Sequence, residues 1–287
     1  MMRSFSPSDD ERVVDLLGRL HASDASFDAT TLERWRALRG MSIFEEGRNF
    51  RVIEEAGAIV ALLTAGTVRG GETRRVRVFV DPAARRRGLA RALLERGEAD
   101  ARAAGVATLT SFVDARWAAG RAFAEASGFS VFIHDLFLAR DGSPFSAPVP
   151  ANVALRPFRP GEEAVVAAIS NASLSRDKGF SAESAESIAA YLRIPGAEIV
   201  VAESAGTPVG FCHVEHRGYI QALGVLPAFE GRGIGAALLS RAIERLRGVE
   251  RIELCTEEDN ARARRLYARA GFTLAREAFT YRKTISL

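Results

Sequence analysis

Glu230-Gly231-Arg232-Gly233-Ile234-Gly235-Ala236 follows an apolar run that ends at Val225, and it leads into a helix-forming stretch. Glycines in such a turn let the backbone approach a ligand closely, and the first amide N–H groups of a helix point outward with the positive end of its dipole behind them. That combination suits a diphosphate. A second copy follows Val80 as Arg85-Arg86-Arg87-Gly88-Leu89-Ala90, where the arginines add charge that can meet phosphate oxygens. One copy alone leaves room for the lesser reading of a plain tight strand-to-helix turn. Two copies in one register do not.

The identity of the phosphate ligand is narrowed by what is missing. A nucleoside-triphosphate loop needs Gly-Lys-Ser/Thr at the helix start, whereas Gly235 is followed by Ala236 and Ala237. A dinucleotide fingerprint fits Gly231-x-Gly233-x-x-Ala236, with Glu253 downstream for a ribose, but the other copy has Arg86, Gly88 and Arg91 at those positions. A proline-containing spacer also separates strand from glycine in both copies, and Rossmann turns are tighter.

Other polar side chains stand on the neighbouring elements. Tyr267 and Asn260 lie on one helical segment, and Asn260 also suits an N-cap. On the strand around 211–216, alternation places His213 and Glu215 on one face and Cys212, Val214 and His216 on the other. His213 and Glu215 are therefore candidates for a general base, against the plainer reading of a strand-end carboxylate and a sheet histidine. Cys255 reads as core, because nothing beside it lowers a thiol pKa. With only Cys212 and Cys255 in the chain there is no disulfide framework and no zinc spacing, which fits a reducing cytoplasm.

The elements that must carry these residues repeat. VFVDPAARRRGLARALL from Val78 aligns with LGVLPAFEGRGIGAALL from Leu223; Gly88 pairs with Gly233 at a spacing of 145, and Gly128-Phe129 with Gly271-Phe272 at 143. Residues 141–150, DGSPFSAPVP, read as a linker between domains at 1–140 and 151–287. In the second half, the patterns predict a strand at 153–158, a helix from 161 and a further helix and loops over 173–193. They then predict a hairpin at 198–203 and 208–216, a strand at 219–225, a helix at 233–246, a strand at 251–256 and a helix at 261–270. The first half repeats this order. The expected fold class is α/β in the mixed α+β sense, each half a mixed, mostly antiparallel twisted sheet flanked by helices.

Taken together, these residues resemble the GNAT superfamily of N-acetyltransferases, whose signature is an apolar strand, often Val-x-Pro, then Arg/Gln-x-x-Gly-x-Gly/Ala at a helix start. The first half reads Arg85-x-x-Gly88-x-Ala90 in full, and the second has Glu230 in place of Arg or Gln. A second signature, Asn-x-x-Ala-x-x-Leu-Tyr-x-x-x-Gly-Phe, appears as Asn260, Ala263, Leu266, Tyr267, Gly271 and Phe272. The resemblance implies acetyl-CoA as cosubstrate, no metal, and direct transfer in a ternary complex. It implies that Leu223 and Val225 offer backbone N–H groups to the pantetheine and thioester. Glu230, Gly231, Arg232, Gly233, Ile234, Gly235 and Ala236 would surround the pyrophosphate, Asn260 would contact the pantetheine, and Tyr267 would act as general acid. Val80, Arg85, Arg86, Arg87, Gly88, Leu89 and Ala90 are the corresponding binding set of the first half.

The first half lacks the chemistry, having Ala124 where Tyr267 stands, Trp117 where Asn260 stands, and no tyrosine before Tyr191. It either binds acetyl-CoA without turnover or serves as a scaffold. Tandem members of the superfamily, such as the mycothiol synthases, divide the halves similarly. The acceptor is expected to be a small-molecule amine or a protein amino group; the rival function is a coenzyme-A-binding sensor without turnover. With Lys plus Arg at 39, Asp plus Glu at 36 and a net charge of +3, a general nucleic-acid surface is not expected. Charged residues at Arg3, Asp9, Asp10, Glu11 and Arg12 break any N-terminal apolar run, so no membrane segment is expected.

Overall fold

The computed structural model describes residues 1–286 apart from 25–26, 28, 42–43, 45–46 and 69–72. The chain forms two compact units, one of Met1–Phe132 with Ala278–Leu287 and one of Ile133–Glu277.

In the first unit, β1 (Met2–Ser4) precedes α1 (Asp10–Ser23), which buries Val13, Leu16 and Leu20 at helical spacing. Next comes α2 (Leu32–Arg39), capped by the Thr31 side chain accepting from Arg34 N–H. There follow β2 (Arg51–Glu55), β3 (Ala58–Thr67), β4 (Thr73–Val80), α3 (Leu89–Ala103), β5 (Thr108–Asp114) and α4 (Ala118–Ala126). Strands β1 to β4 pair antiparallel in sequence order, and β4 pairs parallel with β5. The outer neighbour of β5 is chain segment 278–284, paired antiparallel from Ala278↔Asp114 to Thr284↔Thr108. Its Tyr281 is fully buried among Leu93, Leu109 and Phe129 and donates its hydroxyl to Glu125 Oε1 at 2.9 Å.

In the second unit, β6 (Ser130–Asp141) and β7 (Val153–Pro157) lead to α5 (Glu163–Leu174) and α6 (Ala185–Leu192). The hairpin of β8 (Ala197–Ser204) and β9 (Thr207–Glu215) turns at Ala205-Gly206, both with positive φ, as a tight antiparallel turn requires. Next come β10 (Tyr219–Val225), α7 (Ile234–Arg245), β11 (Arg251–Glu257), α8 (Ala261–Arg269) and β12 (Thr273–Thr284). Strands β7, β8, β9 and β10 pair antiparallel in turn, β10 pairs parallel with β11, and β11 pairs antiparallel with β6. One face of the sheet packs on α7 through Leu238, Leu239 and Ala242, the other on α5 and α6 through Val166, Ile169 and Ile188.

The mixed α/β class and its duplication are as expected. The parting of the units is different. Residues 141–150, expected as a linker, lie within the second unit, where Phe145 packs on its core and the Ser240 hydroxyl donates to Phe145 O at 3.0 Å. Each half of the sequence hands its final strand to the other unit: β6 completes the sheet beside β11, and the end of β12 completes the sheet beside β5.

Candidate active site

The opening in the second unit comes from strand geometry. Pairing between β10 and β11 holds at Tyr219↔Glu253 and Ile220↔Leu254 and then stops, while β10 stays paired to β9 as far as Val225↔Gly210. The β11 side of Leu223 to Val225 is thus open. Leu226 N–H donates to Val209 O on β9 at 2.8 Å, so strand alternation turns the N–H groups of Val225 and Leu223 toward the open side. The cleft that results has a volume of about 760 Å³, and Leu223, Gly224, Val225, Gly235, Asn260 and Tyr267 are among its walls.

The glycine turn forms one end of this cleft. After a single 3-10 turn at Pro227–Phe229, Gly231 and Gly233 take φ of 75° and 84°, which side-chain-bearing residues rarely adopt, and α7 starts at Ile234. Nothing lies within 4 Å of a Cβ built on Gly231, and only ordinary contacts surround one on Gly235. The cradle is open, and it fits a diphosphate. Arg232 stacks its guanidinium over Phe229 at 5.1 Å. Glu230, the departure from the expected Arg or Gln, pairs with Arg176 at 3.1 Å and with Arg262. Two guanidiniums from separate elements are therefore gathered at the end of the cleft where phosphates are expected, and both line it. Neither was found in the sequence, because nothing local to the glycine turn points to residues 176 and 262.

Asn260 caps α8 by accepting from Ala263 N–H at 3.1 Å, as expected, and its amide nitrogen lies 3.4 Å from Asp177 Oδ1. Tyr267 sits two turns further along α8, its ring edge-on to Phe272 with centroids 5.9 Å apart, and it is 8% exposed. Burial raises its phenol well above the usual value, so the hydroxyl keeps its proton. Asp177, in the loop after α5, was missed in the sequence. Burial, reinforced by the Glu257 and Asp259 carboxylates, raises its carboxyl above the usual range. All three carboxylates and Lys178 line the cleft.

His213 and Glu215 are not among the residues that line this cleft. The pleat puts them on the α5–α6 face: His213 is 2% exposed with its ring 4.6 Å from that of Tyr191, and Glu215 is paired with Arg217. Burial holds the imidazole down at about 4. Cys212 and Cys255 are free thiols whose pKa values burial raises, the latter to about 12.

The matching turn of the first unit keeps its backbone course, with Arg86 at φ 64° and Gly88 at φ 80° ahead of Leu89 and Ala90 in α3. Two of its three arginines have partners within the protein. Arg87 forks onto Glu55 at 3.0 and 2.8 Å, and Arg85 Nε donates to Val80 O at 3.4 Å.

Parallel strands that separate over a helix-capping glycine turn, built twice in one chain, are the framework of a tandem acyltransferase. The chain belongs to the GNAT acetyltransferase family: the profile of the "Acetyltransferase (GNAT) family" matches residues 167–272, and that of the "Acetyltransferase (GNAT) domain" matches residues 46–131. A mycothiol acetyltransferase of Sanguibacter keddieii is 33% identical over 226 residues, covering 69% of this chain and 70% of that one. Its counterpart in Clavibacter michiganensis is 29% identical over 281 residues, covering 88% and 89%. Among solved structures, a GCN5-related N-acetyltransferase from Sphaerobacter thermophilus shares the fold with a TM-score of 0.80 at 23% identity, covering 100% of this chain and 97% of that one. A tandem GNAT protein of the clavulanic acid biosynthesis pathway does so with a TM-score of 0.73 at 20% identity, covering 100% and 99%. Among the described residues there is no cluster of His, Cys, Asp and Glu that could hold a metal ion, and no helix is long and apolar enough to cross a membrane.

Proposed function

We propose that the second unit is an acetyl-CoA-dependent N-acetyltransferase that transfers an acetyl group directly to a primary amine within a ternary complex. The observation that carries this reading is that the outward N–H groups of β10, the glycine turn and the Tyr267 side chain share one cleft. The name of the mycothiol acetyltransferase relatives favours a small-molecule acceptor over a protein.

Acetyl-CoA supplies the activated acetyl group as a thioester. The turn amides from Gly231 to Ala236, with Arg176 and Arg262, hold its diphosphate. The N–H groups of Leu223 and Val225 donate to pantetheine and thioester oxygens along the open edge of β10, and Asn260 orients the pantetheine arm. Asp177 meets the incoming ammonium, accepts its proton and leaves a neutral amine; its raised pKa makes it a stronger base than an ordinary carboxylate. Tyr267 holds a proton at Oη for the departing sulfur. His213 and Glu215 have no part in this scheme.

The test is release of free thiol from acetyl-CoA in the presence of a mixed panel of small amines. Turnover that falls in Tyr267→Phe and in Asp177→Asn supports the scheme. Tight coenzyme A binding without turnover on any amine favours the sensor function instead.

A further inference from the structure

The first unit opens its sheet in the same way as the second. Strands β4 and β5 pair from Thr73↔Thr108 to Arg75↔Thr110 and then part, while β4 stays paired to β3 as far as Val80↔Ala61. What lies at the opening differs. In the second unit the positions are Gly224 on β10, Asp177 after α5, and Asn260 and Ala263 at the start of α8. The repeat spacings place Phe79 where Gly224 stands, Trp117 where Asn260 stands and Gly120 where Ala263 stands, and Phe27 lies in the loop after the first helix.

These replacements touch. The Phe27 and Trp117 rings meet edge-on with centroids 4.8 Å apart at 70°, where the second unit has only the 3.4 Å approach of Asn260 to Asp177. Phe79 closes on Phe27 at 6.3 Å. The indole lies directly on Gly120, where a Cβ would fall 2.3 Å from a ring carbon, so Trp117 and Gly120 are an exchange of volumes for Asn260 and Ala263. Two of the three arginines of the turn, Arg85 and Arg87, are meanwhile engaged by Val80 O and Glu55.

We propose that the first unit has filled its own acyl-CoA cleft with the Phe27–Trp117–Phe79 bridge, so that the chain takes up one acetyl-CoA, in the second unit. The clause about the second unit rests on the function proposed above. The closure of the first unit rests on the rings alone. Aromatic side chains occupy the path that the pantetheine would follow between β4 and β5, and its entry would require the loss of two edge-on ring contacts as well as the displacement of an indole seated on a helix backbone.

Calorimetric titration of the full chain with coenzyme A is the test, alongside Gly235→Asp, which sets a carboxylate in the second unit's cradle. One coenzyme A per chain, with none bound by Gly235→Asp, is the expected result. Two per chain, or a site that survives in Gly235→Asp, overturns the closure and leaves the acetyltransferase reading standing. No binding to the wild-type chain refutes the second-unit site and agrees with closure. A second measurement needs no variant: Trp35 and Trp117, the two tryptophans of the chain, both lie in the first unit. Saturating coenzyme A is expected to leave their emission and acrylamide quenching unchanged, and a saturable change in either overturns the proposal.

Discussion

Lowering the pH should destabilise the second unit through His213 in particular. Its imidazole is 2% exposed, and among the described residues its Nε2 has no hydrogen-bond partner. Burial lowers its pKa from 6.5 to about 4, against the weaker opposing pull of Glu215 and Glu183. Above the unfolded value both states are neutral and pH has no effect. As pH falls below 6.5 the unfolded chain takes up a proton that the folded chain refuses, so stability falls until the folded imidazole also titrates near 4. The full loss is on the order of 3 kcal/mol, of which about 2 kcal/mol is lost between about pH 7.5 and about pH 5. His213→Phe, which keeps a ring against Tyr191 and cannot ionise, should lack this component. Urea unfolding followed by circular dichroism at both pH values measures the loss, with tryptophan fluorescence reporting the first unit separately. The reasoning is refuted if wild type and His213→Phe lose equal stability over that interval.

Tyr267→Phe should lower kcat by about a hundredfold, within the usual range for a general acid, and leave KM for acetyl-CoA nearly unchanged in steady-state assays. Arg176→Ala combined with Arg262→Ala should raise KM for acetyl-CoA about tenfold or more, while a donor without the diphosphate, acetyl-pantetheine, should be used as by wild type. Glu230→Gln releases both guanidiniums and should also raise that KM; a fall would show Glu230 to be a repelling charge, not an anchor. Tyr281→Ala should cost about 3–5 kcal/mol, read as an early fluorescence transition of the first unit on denaturation.

Much of the second unit is legible in the sequence because its signals are local. The Ala205-Gly206 hairpin turn, the Asn260 cap and the apolar side of α7 are each determined by neighbours along the chain. The glycine turn shows for the same reason, since positive φ at Gly231 and Gly233 leaves a mark on composition. Asp177 and the partners of Glu230 were not legible: Asp177 and Arg176 reach the cleft from the loop after α5 and Arg262 from the first turn of α8, and their own surroundings in sequence are mixed charges. Alternation separated His213 from Cys212 correctly, but it could not say which face held the cleft. The arginines of the first turn were read as phosphate ligands, and only the fold brings Glu55 to Arg87. The aromatic bridge left a trace in the aligned halves, Trp117 for Asn260 and Gly120 for Ala263, that has meaning only once both positions face an opening.

The exchange of final strands also sets a schedule for synthesis. Domains made on the ribosome ordinarily fold in order of emergence, the N-terminal one first. Here the sheet beside β5 waits for residues 278–284, and the core around Leu93, Leu109 and Phe129 waits for Tyr281. The first unit starts at residue 1 yet is not completed until residues 278–284 have been made, while the second has β6 to hand before the rest of its residues appear. The part made first is finished last, and a chain that stops before residue 278 would lose a strand from the unit that its own first residues build.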